Sequence, residues 1–294
     1  MTTDTVDLRT LVRKAAARLA AAGVESDFHD AGMLAAFVLG VEPTDIVKHE
    51  TVSLEVAAEL DALVDQRCRR VPLQHLTGRA YFRRLSLVVG PGVFVPRPET
   101  EVVVEAALDE VEAVTDRGTP HPLVVDLCTG SGAIAASVVV EAPQASVVAV
   151  ELSPEAYTWA ERNLRGLGVD LRLGDATDAC RELDGTVDVV VSNPPYIPHG
   201  AVIRDPEVAE HDPALALWGG GADGLGVMRG IVARARGLLR PGGLLVVEHA
   251  DVQGRAVVDL VSSGGGFGEV ADHVDLTGRD RFTTARRIAE GSAP

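Results

Sequence analysis

The chain has 294 residues, 46% hydrophobic and 24% charged, with a net charge of −16. That is the balance of a globular protein able to bury a large core without disulfides. So acidic a chain argues against direct wrapping of nucleic acid, which needs a basic surface, while it suits solubility and a basic protein partner equally.

No apolar run reaches the ~18 residues of a membrane helix, and the start, Met1–Asp7, is polar and acidic rather than signal-like. Cys68, Cys128 and Cys180 are dispersed, and the eight histidines show no ligand spacing. Neither a disulfide framework nor a metal site is expected. A cytoplasmic, monomeric protein with no membrane contact is expected.

In chain order, residues 1–75 read as a helical domain. Leu8, Leu11, Val12, Ala15 and Leu19 share one helical face, and Gly23 punctuates. A second apolar segment, Ala31–Leu39, stops at Gly40. A third helix fits Ser53–Arg70, with Ser53 as N-cap and Val56, Leu60, Leu63 and Val64 on one face. Residues 76–95 turn β-rich, with Ala80–Phe82 and Leu85–Val89 as a linking hairpin.

Residues 96–294 alternate helices and strands. A helix over Thr100–Val114 precedes the apolar strand Leu123–Leu127, a glycine loop and a helix over Ala133–Val140. Strand Ser146–Val150, helix Pro154–Leu167, and strands Val169–Leu173 and Val187–Val191 follow. A long helix fits Leu225–Leu239, ended by the turn Arg240–Gly243. Strand Leu244–Val247, a helix near Val252–Val261, and strands at Gly268–His273 and Thr283–Arg287 complete the pattern. Uniformly apolar strands between helices predict an α/β fold with a mostly parallel sheet covered on both faces.

The loop Asp126-Leu-Cys-Thr-Gly-Ser-Gly-Ala-Ile-Ala135 joins a strand to a helix, and Gly130 and Gly132 allow a tight turn and close backbone approach to a ligand. Glu151 ends the next strand and can accept hydrogen bonds from both hydroxyls of a ribose. Gly130-x-Gly132-x-x-Ala135 also fits a nicotinamide dinucleotide loop. The fourth strand separates the two readings, because it ends in Asn193-Pro194-Pro195-Tyr196, on the sheet edge where such folds bind ligands. Two prolines stiffen the backbone and remove two donors. The Asn193 side-chain oxygen and the Pro194 carbonyl can then each accept one hydrogen of a substrate NH2 group, with Tyr196 as a flat wall.

N-P-P-Y after strand four, with the D-x-x-T-G-S-G loop, resembles methyltransferases acting on amino groups attached to planar carbons. Pro72-Leu-Gln-His-Leu-Thr-Gly78, Phe94-Val-Pro-Arg-Pro-Glu-Thr-Glu101, Gly221-Ala-Asp-Gly-Leu225 and Glu248-His249 are similar to signatures of the HemK/PrmC family of release-factor glutamine methyltransferases. The resemblance covers residue 70 to the end. It implies a small helical N-terminal domain, serving to dock substrate, on a seven-stranded Rossmann-like methyltransferase domain. It implies S-adenosylmethionine as methyl donor, and as substrate the side-chain amide (N5) of the glutamine in the GGQ motif of class 1 peptide chain release factors.

By position, Cys128, Thr129, Gly130, Ser131 and Gly132 would bind the donor, Glu151 the ribose, and Asp175 and Ala176 would flank the adenine. Asn193 would touch donor and substrate, and Pro194, Pro195 and Tyr196 would complete the glutamine pocket. Asn193, Pro194 and Tyr196 would carry catalysis. Cys128 stands where glycine is common in the family, and Ala176 where some members have an aromatic residue. Arg97 and Glu99 fit either a domain-joining turn or a place over the cofactor or substrate loop. Two other substrate classes fit the sequence less well. Glutamine methyltransferases of ribosomal proteins usually read P-R-S-P-I where this chain has Pro96-Arg97-Pro98-Glu99-Thr100. A nucleobase methyltransferase conflicts with the negative charge and the missing target-recognition domain.

Overall fold

A computed structural model describes residues 5–289, so the first four residues of the polar start lie outside the described residues. The described chain divides into two compact units. One runs to Arg79 and takes in Ile203–His211; the other spans Ala80–Val202 and resumes at Asp212.

The first unit begins with β1 (Thr5–Asp7) and α1 (Leu8–Ala21), whose N-cap Asp7 accepts the Thr10 N–H at 2.7 Å. α2 (Asp27–Leu39) ends at Gly40 in the left-handed conformation. β2 (Thr51–Ser53) pairs antiparallel with β1, a ribbon too short to show a period in the sequence. α3 (Leu54–Cys68) is capped by Ser53, as its spacing predicts, and α4 (Leu73–Thr77) closes the bundle. Leu8, Leu19, Leu34, Leu60 and Val64 form its core. Arg67 is buried and pairs with Asp30 and with Glu207 of the returning segment, each at 2.7 Å.

The hairpin β3 (Arg79–Phe82) and β4 (Leu85–Val88) falls, from Ala80 on, in the second unit. Pro98–Thr100 makes a short 3-10 turn into α5 (Glu101–Asp116). Then follow β5 (Leu123–Leu127), α6 (Ala133–Glu141), β6 (Ser146–Glu151), α7 (Pro154–Leu164), β7 (Asp170–Leu173) and β8 (Val187–Ser192). α8 (Pro206–His211) lies in the segment belonging to the first unit. α9 (Ala214–Leu217), α10 (Gly226–Leu238), β9 (Leu239–Glu248), α11 (Gly254–Ser263), β10 (Phe267–Val274) and β11 (Asp280–Arg287) complete the chain.

The seven-stranded sheet has the order β10-β11-β9-β8-β5-β6-β7. β9, β8, β5, β6 and β7 are parallel, and β11 and β10 join antiparallel. Both faces are covered. Val124 packs with α5 and α6 residues such as Val103 and Ile134, while its neighbour Val125 packs with α10 and α11 residues such as Met228 and Val257. That two-sided burial is why the strands read as continuous apolar runs rather than alternating ones.

Several features differ from the sequence reading. α7 stops at Leu164 rather than Leu167, because Gly166 and Gly168 both take positive φ and cannot continue a helix. Arg240–Gly243 does not precede the fifth strand but bulges within it: pairing steps from Val187↔Leu239 to Val189↔Leu244. The short helices α8 and α9 were not foreseen between the N-P-P-Y strand end and α10.

Candidate active site

The parallel register brings three strand ends together, since Leu127 pairs with Val150 on one side and Ser192 on the other. At the end of β5 the chain turns through Cys128, Gly130 and Gly132, with φ of 65°, 59° and 83°. Gly132 begins α6 and lies so close to Leu164 that an added Cβ would meet its Cγ at 3.0 Å. Cys128 occupies the left-handed region where glycine is favoured, which costs roughly 1–2 kcal/mol. Burial pushes its thiol pKa up, reinforced by the charges of Glu151 and Asp126, so the thiol stays protonated.

Asp126 is fully buried beneath this loop. Its Oδ2 accepts the Thr129 hydroxyl at 2.5 Å and the Ala135 N–H at 3.2 Å, while Oδ1 has no partner. Burial raises its pKa to about 7. Glu151 accepts the Gly130 N–H at Oε2 and the Ser153 N–H at Oε1, both at 2.8 Å, and burial raises its pKa too. Each Glu151 oxygen keeps a lone pair for a ligand hydroxyl. Ser131 offers its carbonyl to the Asn163 amide at 2.9 Å, and the same side chain bonds both Val88 N–H and Val88 carbonyl. Sequence reading passed over Asn163, because nothing in α7 marks it from other polar helix residues.

Beyond β7, the Gly174 N–H donates to the Glu151 carbonyl at 2.8 Å, which sets Asp175 and Ala176 beside the same strand ends. Asp175 is exposed, and its Oδ1 accepts the Thr177 N–H and hydroxyl. The Ala176 side chain packs into the core with Val150 and Met228. Its backbone, not its methyl group, is the part left to meet a ligand.

β8 ends at Ser192, whose hydroxyl donates to the Leu127 carbonyl at 2.6 Å. Asn193 follows, half-buried, and its Nδ2 donates to the Thr100 hydroxyl oxygen at 3.1 Å. That leaves Oδ1 to accept. Pro194 is buried, Pro195 and Tyr196 are half-buried, and among the described residues nothing hydrogen-bonds the Pro194 carbonyl. The Tyr196 hydroxyl donates to Glu248 Oε1 at 3.4 Å, and burial with the Glu248 charge pushes its pKa up.

Glu248 ends β9, next to β8, and is 2% exposed. Burial raises its pKa to about 7. Glu99 adds to the rise; Thr100, Arg281 and Tyr196 oppose it. The Thr100 hydroxyl lies against this carboxyl without full hydrogen-bond geometry, and Oε2 has no partner that meets it.

The loop carrying Tyr196 is held backbone to backbone. Ile197 N–H donates to the Leu217 carbonyl at 2.9 Å and Gly219 N–H to the Ile197 carbonyl at 3.0 Å. A Cβ at Gly219 would meet the Pro195 carbonyl at 2.6 Å. Gln253 ties the carbonyls of Tyr196 and Asp223 together, each at 2.9 Å. This packing accounts for the Gly221-Ala-Asp-Gly-Leu225 motif. His249, fully buried, spans Ala250 carbonyl, Asp272 and Thr283 at 3.0–3.1 Å. It ties the end of β9 to β10 and β11. Arg97 pairs with Asp212 at 2.6 Å and lies over the Phe94 ring, 4.9 Å from its centroid. Among the described residues no group of His, Cys, Asp and Glu could hold a metal ion, and no helix is long and apolar enough to cross a membrane.

These residues fit a cationic, ribose-bearing methyl donor. The Glu151 carboxyl keeps acceptor lone pairs beside the loop, and a Cβ at Gly130 would meet nothing within 4 Å. Residues 108–209 match the family model described as the methyltransferase small domain. With the seven-stranded sheet, the glycine loop and Glu151, this defines the class of S-adenosylmethionine-dependent methyltransferases.

Residues 10–78 match the PrmC N-terminal domain. The chain is 51% identical over 277 residues to the release factor glutamine methyltransferase of Streptomyces coelicolor, covering 94% of this chain and 96% of that one. It is 49% identical over 284 residues to that of Mycolicibacterium smegmatis, covering 96% and 98%. It is also 42% identical over 267 residues to the 4-amino-L-phenylalanine/4-methylamino-L-phenylalanine methyltransferase of Streptomyces pristinaespiralis, covering 90% of each. The chain belongs to the release factor glutamine methyltransferase family.

Proposed function

We propose that this enzyme methylates the side-chain amide nitrogen of the glutamine in the Gly-Gly-Gln motif of a class 1 release factor, acting as a monomer on a protein substrate. The observation that carries the reading is the Asn193 amide, whose Nδ2 is engaged by Thr100 so that Oδ1 is free to accept beside the Pro194 carbonyl. Two fixed acceptors match the two hydrogens of a primary amide.

S-adenosylmethionine supplies a methyl group on a positively charged sulfur when bound. Thr129, Gly130, Ser131 and Gly132, with the backbone of Cys128, form the loop that would hold it. Glu151 would take the ribose hydroxyls, and Asp175 with the Ala176 backbone would border the adenine. An amide nitrogen is a weak nucleophile because its lone pair is delocalised into the carbonyl. Asn193 Oδ1 and the Pro194 carbonyl would hold the NH2 hydrogens and turn the lone pair out of conjugation. Positive charge grows on that nitrogen during transfer, and the same oxygens then bind more strongly. That is stabilisation reserved for the transition state. Pro195 and Tyr196 would wall the planar group. Residues 1–75 are proposed to dock the folded substrate.

Asn193→Ala should lower single-turnover methylation by about 10²–10³-fold with a smaller effect on donor affinity. Asn193→Asp should be milder, since a carboxylate still accepts. Near wild-type rates in Asn193→Ala would refute the pocket. The Streptomyces pristinaespiralis relative favours a second reading, a free amino acid as substrate. Methylation of 4-amino-L-phenylalanine but not of a release factor would establish that reading instead.

A further inference from the structure

We infer that Glu248, acting through Thr100, sets which end of the Asn193 amide faces the substrate, and that both are positioning residues for methyl transfer. The inference rests on the glutamine-methylation reading and deepens it.

A side-chain amide presents an acceptor on one edge and a donor on the other, and a half-turn exchanges them at almost no steric cost. Only one orientation serves here. A substrate NH2 group needs an acceptor, and a donor in its place would meet it hydrogen to hydrogen.

Thr100 decides the orientation. It is 4% exposed, and its hydroxyl has one hydrogen and two lone pairs. Asn193 lies against it, with Nδ2 3.1 Å away. Beside them lies the buried Glu248 carboxyl, one position past Val247, the β9 partner of Ser192. Above about pH 7 the Glu248 carboxyl is ionised and only accepts, so it draws the hydroxyl hydrogen toward itself. The hydroxyl then shows Asn193 a lone pair, which selects Nδ2–H and leaves Oδ1 toward the substrate. Turning Asn193 over would set two lone pairs face to face.

Glu248 has no evident structural duty that a neutral side chain would not fill. Its bond from Tyr196 is long at 3.4 Å, and Oε2 lacks a partner of proper geometry. The nearby Arg281 is taken by Asp275, at 3.0 and 3.1 Å. A buried carboxyl so loosely held is unfavourable for the fold alone. The chain places it beside the hydroxyls of Thr100 and Tyr196, both of which can use an acceptor.

The test compares Glu248→Gln, Thr100→Val and Thr100→Ser in the full-length enzyme with intact release factor and with release factor carrying Glu at the target position. Glutamine at 248 can donate to the Thr100 oxygen, turning the hydroxyl hydrogen toward Asn193 and the Asn193 donor toward the substrate. Glu248→Gln and Thr100→Val should lower kcat by about 10–100-fold, with KM and donor Kd within about threefold of wild type. Thr100→Ser should restore most of kcat. Glu248→Gln should also bind the Glu-bearing release factor several-fold more tightly than wild type does, a reversal that loss of packing would not produce. Thr100→Val keeps the side-chain shape and so tests the idea even where Glu248→Gln folds poorly. Wild-type kcat in Thr100→Val, or reduced kcat in Glu248→Gln without the reversed preference, overturns the inference. Failure of the wild type to methylate the glutamine overturns instead the functional reading beneath it.

Discussion

Replacing Gly219 by alanine isolates the geometry of the Asn193–Tyr196 segment from every chemical group in it. Gly219 does not have positive φ, so alanine meets no backbone penalty there. Its Cβ would stand 1.9 Å from the Gly224 carbonyl oxygen, 2.6 Å from the Pro195 carbonyl oxygen and 2.8 Å from Tyr196 Cα, against 3.4 Å for an ordinary contact. All three neighbours are backbone, so the Gly224 turn must yield by about 1.5 Å and the Pro195–Tyr196 wall by about 0.8 Å. Overpacking of this kind costs roughly 1–3 kcal/mol of stability. A displacement near 1 Å at a reacting group costs about 10²-fold in rate. Gly130→Ala is the complementary change: its Cβ would enter open space, but φ is 59°, so the cost is backbone strain of roughly 1–2 kcal/mol in the donor loop. Donor titration by calorimetry and single-turnover methylation separate the two. Gly219→Ala should lose about 10²-fold in turnover with donor Kd within about threefold, while Gly130→Ala should weaken donor binding. Wild-type turnover in Gly219→Ala would show that the placement of Pro195 and Tyr196 does not govern the rate.

Glu151→Ala removes charge-assisted hydrogen bonds to the ribose and should weaken donor binding by roughly 1.5–3 kcal/mol, with no affinity for NAD in either protein; calorimetry checks both. Asn163→Ala frees the Ser131 carbonyl and both polar groups of Val88, and should cost roughly 1–2 kcal/mol in donor affinity while leaving Asn193 chemistry intact at saturating donor. The raised carboxyls give a pH signature. Burial lifts Asp126 and Glu248 from 3.8 and 4.5 to about 7, with the Glu151 charge adding to the rise at Asp126 and Glu99 at Glu248, where Thr100, Arg281 and Tyr196 oppose it. Their folded forms hold protons more tightly than the unfolded chain, so their stabilisation is full below about pH 4 and is lost as pH rises through about 7. Asp126→Asn should flatten that fall in thermal melts; an unchanged slope would contradict the raised Asp126 pKa. If residues 1–75 dock substrate, KM for intact release factor should lie well below KM for a Gly-Gly-Gln peptide; equal values would assign those residues to the fold alone.

Most of the sheet was legible because its strands are buried on both faces and stand out as apolar runs between glycines. Leu123–Leu127 is the clearest case, and the loop after it and the N-P-P-Y strand end follow from it. Helix caps such as Ser53 were legible because they depend on three or four adjacent residues. What escaped depends on distant partners. Glu248 is brought beside Asn193 only by the adjacency of β9 and β8, and Thr100 only by the turn that leads into α5. Arg97 could be read as turn or ligand contact until Asp212 appeared beside it. Ala176 sits in the chain where a ligand contact is expected, yet its side chain turns into the core. The return of Ile203–His211 to the helical unit rests on Glu207 meeting Arg67 and Arg70, a pairing no local pattern announces.

The central claim is tested most directly by incubating the purified enzyme with S-adenosylmethionine and an intact class 1 release factor, then mapping the modified peptide by mass spectrometry. The account predicts one added methyl group, on the side-chain nitrogen of the Gly-Gly-Gln glutamine. It also predicts none when that residue is glutamate, which offers no NH2 group to the two acceptors at Asn193 and Pro194. A methyl group on any other residue, or on the glutamate variant, would contradict it.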